Sequence, residues 1–124
     1  MNSEAIILID HGSRRSEANA QLEELAERVR ESRTGVWVQT AHLEIAEPDL
    51  GQAIDECARA GATRIVVHPF FLSPGRHTSE DIPRLVEAAQ ERHPELDIAL
   101  ALPLGLDDRI VSLVLSRVDE APRK

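Results

Sequence analysis

The chain has almost no aromatic residues. Trp37, Phe70 and Phe71 are the only three and tyrosine is missing, so the core has to be assembled from Leu, Ile, Val and Ala rather than from stacked rings. Cysteine is as scarce. A lone Cys57 cannot close an intramolecular disulfide, which removes the small disulfide-stapled scaffolds from consideration. No block of Lys and Arg occurs and the formal net charge is -8. Nucleic-acid partners demand a basic surface that displaces phosphate counterions, so that class is not expected. No apolar run approaches the length of a membrane span, and the N-terminus enters an apolar strand without the basic segment or cleavage site of a secretory signal. Neither membrane nor export is expected, and a reducing cytoplasm fits.

What is present suits one domain over residues 1–124. The composition is 42% apolar and 29% charged, too apolar for a disordered chain and ordinary for a globular one. Four runs rich in Ile, Val or Leu, at residues 5–9, 36–43, 64–68 and 96–102, alternate with helical patterns. Leu22, Leu25, Ala26 and Val29 recur at helical spacing, as do Leu50, Ala53, Ile54 and Cys57, and again Ile82, Leu85, Val86 and Ala89. A last pattern runs through Ile110, Leu113 and Val114, behind the capping candidates Asp107 and Asp108. This rhythm predicts an α/β fold, a three-layer sandwich with a four-stranded parallel sheet and helices on both faces. Pro48 is expected in a first helical turn, Gly61 at a helix C-cap and Pro94 as a stop. Thr78, Ser79 and Asp81 read as caps of the third helix, with Pro83 in its first turn, which leaves a long connection from His68 to Ile82.

Sheets of this kind bind ligands beyond the carboxyl ends of their strands. His11 follows the first strand, Glu44 the second, and His68 and His77 flank the third connection. In Asp10-His11-Gly12-Ser13-Arg14-Arg15, His11 is either a metal ligand or an imidazole satisfied within a solvated turn, and Ser13, Arg14 and Arg15 are candidates to hold carboxylates. Pro69, Pro74 and Gly75 stiffen the loop that ends in Arg76 and His77. Phe70 and Phe71 line a pocket or complete the core. Glu44, two positions beyond His42 and expected on the same strand face, is a solvated carboxylate, a metal ligand or a proton acceptor. His42 and His68 read as strand-end caps, and His93 as a surface residue at a helix end.

Taken together these segments resemble the class II chelatases of the sirohydrochlorin cobaltochelatase and ferrochelatase family, in their short, single-lobe form. The resemblance rests on Ile9 to Arg14, on Ala41-His42-Leu43-Glu44 with Pro48, on Phe71 to His77 with Asp81-Ile82-Pro83, and on Pro103-Leu104-Gly105. It implies insertion of a divalent metal ion, cobalt, iron or nickel, into an anionic tetrapyrrole without ATP. It further implies metal coordination by His11 and His77 with help from Glu44, substrate contacts from Ser13, Arg14, Arg15, Phe71 and Arg76, no organic cofactor, and pairing into a homodimer. In this comparison His42 and His68 stand where apolar residues are usual.

The chemistry agrees with that inference. Neutral imidazole binds late first-row divalent ions, and two protein ligands leave positions open for transfer to four pyrrole nitrogens. Insertion releases two pyrrole protons, which Glu44 or a histidine can accept. Two other readings stand beside it: a non-catalytic metal or tetrapyrrole carrier that uses the same histidines, and phosphoryl transfer through His11 over a helix N-terminus, which leaves His77 and its stiff loop unexplained.

Overall fold

Four strands, β1 (Glu4–Asp10), β2 (Trp37–His42), β3 (Arg64–Pro69) and β4 (Asp97–Leu100), alternate with four helices, α1 (Ser16–Ser32), α2 (Leu50–Arg59), α3 (Arg76–Arg92) and α4 (Asp108–Glu120). The computed structural model describes residues 3–73 and 75–123, with residues 76–79 described by backbone alone. All strand pairs are parallel, in the order β2-β1-β3-β4, as the alternation predicts.

The central strand β1 is covered on both faces, which is why it reads as an unbroken apolar run rather than an alternating one. On one face Ala5, Ile7 and Ile9 pack with Ile65 and Val67 of β3 against Leu50, Ile54 and Cys57 of α2 and Ile82 and Ala89 of α3. On the other, Leu8 and Val38 meet Leu22 and Ala26 of α1. Cys57 is fully buried in the first of these layers, and burial pushes its thiol pKa up to about 12. Asp49 and Gln52 close a reciprocal capping box at the start of α2, and Asp107 caps α4 by accepting from the Arg109 backbone N–H. Gly61 takes a left-handed φ of +98° just past α2, as a C-terminal glycine should.

Three local expectations are corrected. Pro48 lies outside α2, whose N-cap is Asp49; the capping box, not the proline, sets the start. Helix α3 begins at Arg76 behind Gly75, so Pro83 sits inside the helix, Asp81 is no cap, and residues 78 and 79 are helical. The missing N–H of Pro83 removes one rung of that helix rather than ending it, because the flanking turns are held by packing of Ile82, Val86 and Ala89. The connection out of β3 therefore spans only residues 70–75, and it is zipped to the segment after β4 by Leu104 N–H to the Phe71 carbonyl (3.0 Å) and Gly105 N–H to the Leu72 carbonyl (2.9 Å). His93 is no free surface residue. At the end of α3 its Nε2 meets Asp55 Oδ1 of α2 at 2.8 Å, tying the two helices of that layer together.

Helix α4 differs from the others in burying nothing. It lies on the α1 side, across a cleft of about 450 Å³ whose lining includes Leu25 and Arg28 of α1, Asp10, Phe70 and Arg117 of α4. Its Val111, Val114, Leu115 and Val118 are each at least half exposed.

Candidate functional site

The chain order of the strands reverses at β1, between β2 and β3, and the region beyond the carboxyl ends of the strands is where such sheets bind ligands. The β1–β2 pairing runs past both strands into that region. Leu43 N–H donates to the Asp10 carbonyl (2.8 Å) and Glu44 N–H to the His11 carbonyl (3.0 Å). These two rungs carry His11 and Glu44 out of the sheet as neighbours, and His11 Nε2 stands 2.8 Å from Glu44 Oε1. Both side chains are more than half exposed.

Two backbone features make this approach possible. Gly12 has φ +98°, and a Cβ there would lie 1.9 Å from the Glu44 carbonyl oxygen, so the turn after His11 admits only glycine. Past Glu44 the chain reverses in a γ-turn. Ala46 N–H donates to the Glu44 carbonyl (2.8 Å) around Ile45, which has φ +74°. That conformation is strained for a β-branched residue. Strand β2 ends at His42, and the successive amides of Leu43 and Glu44 both bond toward the β1 segment, which an alternating strand cannot do, so Glu44 does not share a face with His42. His42 points to the α1 side with Thr40 and Asp10, whereas Glu44 opens toward α3; the expectation of a common face is corrected.

His11 and Glu44 border a cleft of about 510 Å³ lined also by Leu43 and by Asp81, Arg84 and Leu85 of α3. Arg84 Nη1 stands 3.7 Å from Asp81 Oδ1, so the cleft carries acidic, basic and imidazole groups over an apolar floor. In the sequence Asp81 has the character of a helix cap and Arg84 carries no signal of its own. Once α3 starts at Arg76, helical spacing places residues 77, 81 and 84 along one side, and that signal could have found both. Residue 77 is in the first turn of this helix, but the side chains of Arg76 and His77 lie outside the described residues, as does Pro74.

The remaining candidates fall elsewhere. Ser13 Oγ accepts from the Arg15 N–H (3.0 Å), and its backbone is held by Asn19, so Ser13 shapes the start of α1. Arg14 and Arg15 are exposed on the same turn, outside the described lining of the cleft. Phe71 packs on the core, and Phe70 borders the cleft on the α1 side. His68 faces the α1 side, half-buried, and burial lowers its pKa below the ordinary histidine value. His42 is 3% exposed, with Nδ1 2.6 Å from Asp10 Oδ1. Among the described residues no group of three or more His, Cys, Asp or Glu side chains converges as a metal site; His11 and Glu44 stand as a pair.

A doubly wound parallel sheet with an exposed imidazole–carboxylate pair beyond the carboxyl ends of β1 and β2 has the arrangement of α/β proteins that bind ligands at strand ends. Comparison makes the assignment particular. The CbiX family model matches residues 5–121, and the chain belongs to that family. It is 39% identical over 117 residues to a chloroplastic sirohydrochlorin ferrochelatase of Arabidopsis thaliana, covering 94% of this chain and 52% of the relative. It is 34% identical over 138 residues to a sirohydrochlorin cobaltochelatase of Methanocaldococcus jannaschii, covering 92% and 96%. The sirohydrochlorin chelatase SirB of Bacillus subtilis subspecies spizizenii, solved in complex with cobalt, superposes with a TM-score of 0.88 at 29% identity, over 95% of this chain and 50% of that one. The chain thus spans about half the length of the first and third of these and nearly all of the second.

Proposed function

We propose that this chain is one chelatase lobe, a single domain that inserts a divalent metal ion, cobalt or ferrous iron, into sirohydrochlorin or a closely related anionic tetrapyrrole, without ATP. The observation that carries the reading is the His11–Glu44 spacing. Two donors bound to one ion at about 2.1 Å each stand about 3 Å apart when they meet at a right angle. The 2.8 Å between Nε2 and Oε1 therefore needs to open by only a few tenths of an ångström to admit the ion. His77, one residue into α3, is the third donor in this reading. Such a set leaves coordination positions open, so the ion can pass to the macrocycle rather than stay. Once the ion is transferred, Glu44 and His11 are free to take up the two protons that leave the pyrrole nitrogens.

The substrate's carboxylates approach a protein of net charge -8, so docking depends on local cations. Arg84 supplies one within the cleft, and Arg14, Arg15 and Arg76 are the further cations in this reading, in bidentate pairs where geometry allows. Purified protein mixed anaerobically with sirohydrochlorin and cobalt or ferrous ion should accelerate the absorbance change of insertion over a protein-free control. His11→Ala and His77→Ala should each slow it at least about a hundredfold, with far-ultraviolet circular dichroism unchanged. No acceleration by the wild-type chain, or wild-type rates in either variant, would remove the reading in favour of a carrier.

The homodimer belongs to the same proposal. A 13-residue helix is marginal in water unless an apolar face is packed, and α4 leaves Val111, Val114, Leu115 and Val118 open. A second copy laid on this face supplies the packing. The free, buried Cys57 supports a reducing compartment, and the cytoplasm is our placement.

A further inference from the structure

His42 and Asp10 close the last rung of the β1–β2 ladder, where they are register partners. A carboxylate accepts, so the imidazole Nδ1–H donates to Asp10 Oδ1 across 2.6 Å. The pair points to the α1 side of the sheet, with Asp10 bordering the cleft there, whereas His11 and Glu44 open on the α3 side. It therefore does not touch what the His11 cleft binds.

Three other features surround this residue. The His42 backbone N–H donates to the Pro48 carbonyl (2.8 Å), folding the 43–48 segment back onto its own strand. The next two amides, Leu43 and Glu44, are the ones bonded to the Asp10 and His11 carbonyls. The glycine turn passes close by, since a Cβ on Gly12 would sit 3.3 Å from the His42 Cβ as well as against the Glu44 carbonyl. Strand ends at a sheet rim are where ladders fray first. A slip of one residue would also carry Glu44 away from His11.

We propose that Asp10 and His42 are positioning residues, a side-chain clasp on the far face of the sheet that holds His11 and Glu44 at the spacing one metal ion requires. This rests on the reading of His11 and Glu44 as metal-binding groups. It also gives His42, which the sequence left with only a strand-end role, a specific partner and a specific load.

The test uses the full chain and cobalt(II) alone, with affinity from titration calorimetry and amide hydrogen exchange at Leu43 and Glu44 read by NMR. His42→Leu keeps the bulk and removes the donor; it should weaken cobalt binding by about ten- to a hundredfold and speed exchange at both amides. His42→Asn, whose side-chain N–H can stand where Nδ1–H donates, should recover both toward wild type. Wild-type affinity and exchange in His42→Leu overturn the proposal, and so does an Asn variant no better than Leu, which would make His42 a space-filler. If His42→Leu does not fold, Asp10→Asn, the milder change, decides in its place: smaller losses of the same two kinds support the clasp, and none overturns it. His11→Ala separates the two levels. If it binds cobalt as tightly as wild type, the metal reading fails, and amide exchange, which needs no metal, still decides whether the clasp exists.

Discussion

At the scale of single residues, the site depends most on a side chain that is not there. Gly12 combines a left-handed φ with a Cβ position inside the Glu44 carbonyl, so Gly12→Ala should lower the unfolding free energy by about 2 kcal/mol or more in urea titration. An alanine chain as stable as wild type would mean the turn is not as tight as it stands. Cys57 is the opposite case, a reactive group made inert. Its burial and raised pKa predict no labelling by a thiol reagent in the native protein at pH 8 and complete labelling after unfolding. Rapid native labelling would contradict its place in the core. The sequence made both residues noticeable, Gly12 through its neighbour His11 and Cys57 through its helical phase. The close approach of Gly12 to the carbonyl of Glu44, 32 residues along the chain, has no local trace.

Among elements, the strands and helices α1 and α2 were legible because burial imposes their periods: an unbroken run for β1, helical spacing for α1 and α2. The start of α3 was not legible. Thr78, Ser79 and Asp81 are good caps and Pro83 a good first-turn residue, and that local chemistry argued for a helix two turns shorter than the one that forms. The error hid Asp81 and Arg84, whose approach to His11 depends on where the helix begins. The link between α2 and α3 was equally invisible, since Asp55 and His93 meet only through packing. Asp55 has its pKa lowered chiefly by the His93 hydrogen bond, with Arg92 adding to it. A carboxylate with a lowered folded-state pKa contributes stability above its unfolded value of 3.8, and the contribution fades as pH falls through the lower folded value. Wild type should therefore exceed Asp55→Asn at neutral pH by less than about 1 kcal/mol, the pair being partly exposed. The two unfolding curves should converge in strong acid, and a gap that widened on acidification would reverse the assignment.

For the whole molecule, assembly turns on α4. Its exposed apolar residues make Val114→Glu the informative change. Sedimentation of the wild-type chain should show a dimer and that of the variant a monomer, with the sheet intact by circular dichroism. A wild-type monomer with full insertion activity would end the pairing proposal. His11 and Glu44 belong to different strands and become neighbours only when β1 lies beside β2. The disordered chain offers no such pair, so a bound ion has a stake in the native sheet alone. Cobalt should then raise the melting temperature, adding about 1.4 kcal/mol for each decade of free metal above its dissociation constant. Affinity should decay before helicity does on warming, which makes the ion a thermometer for the rim.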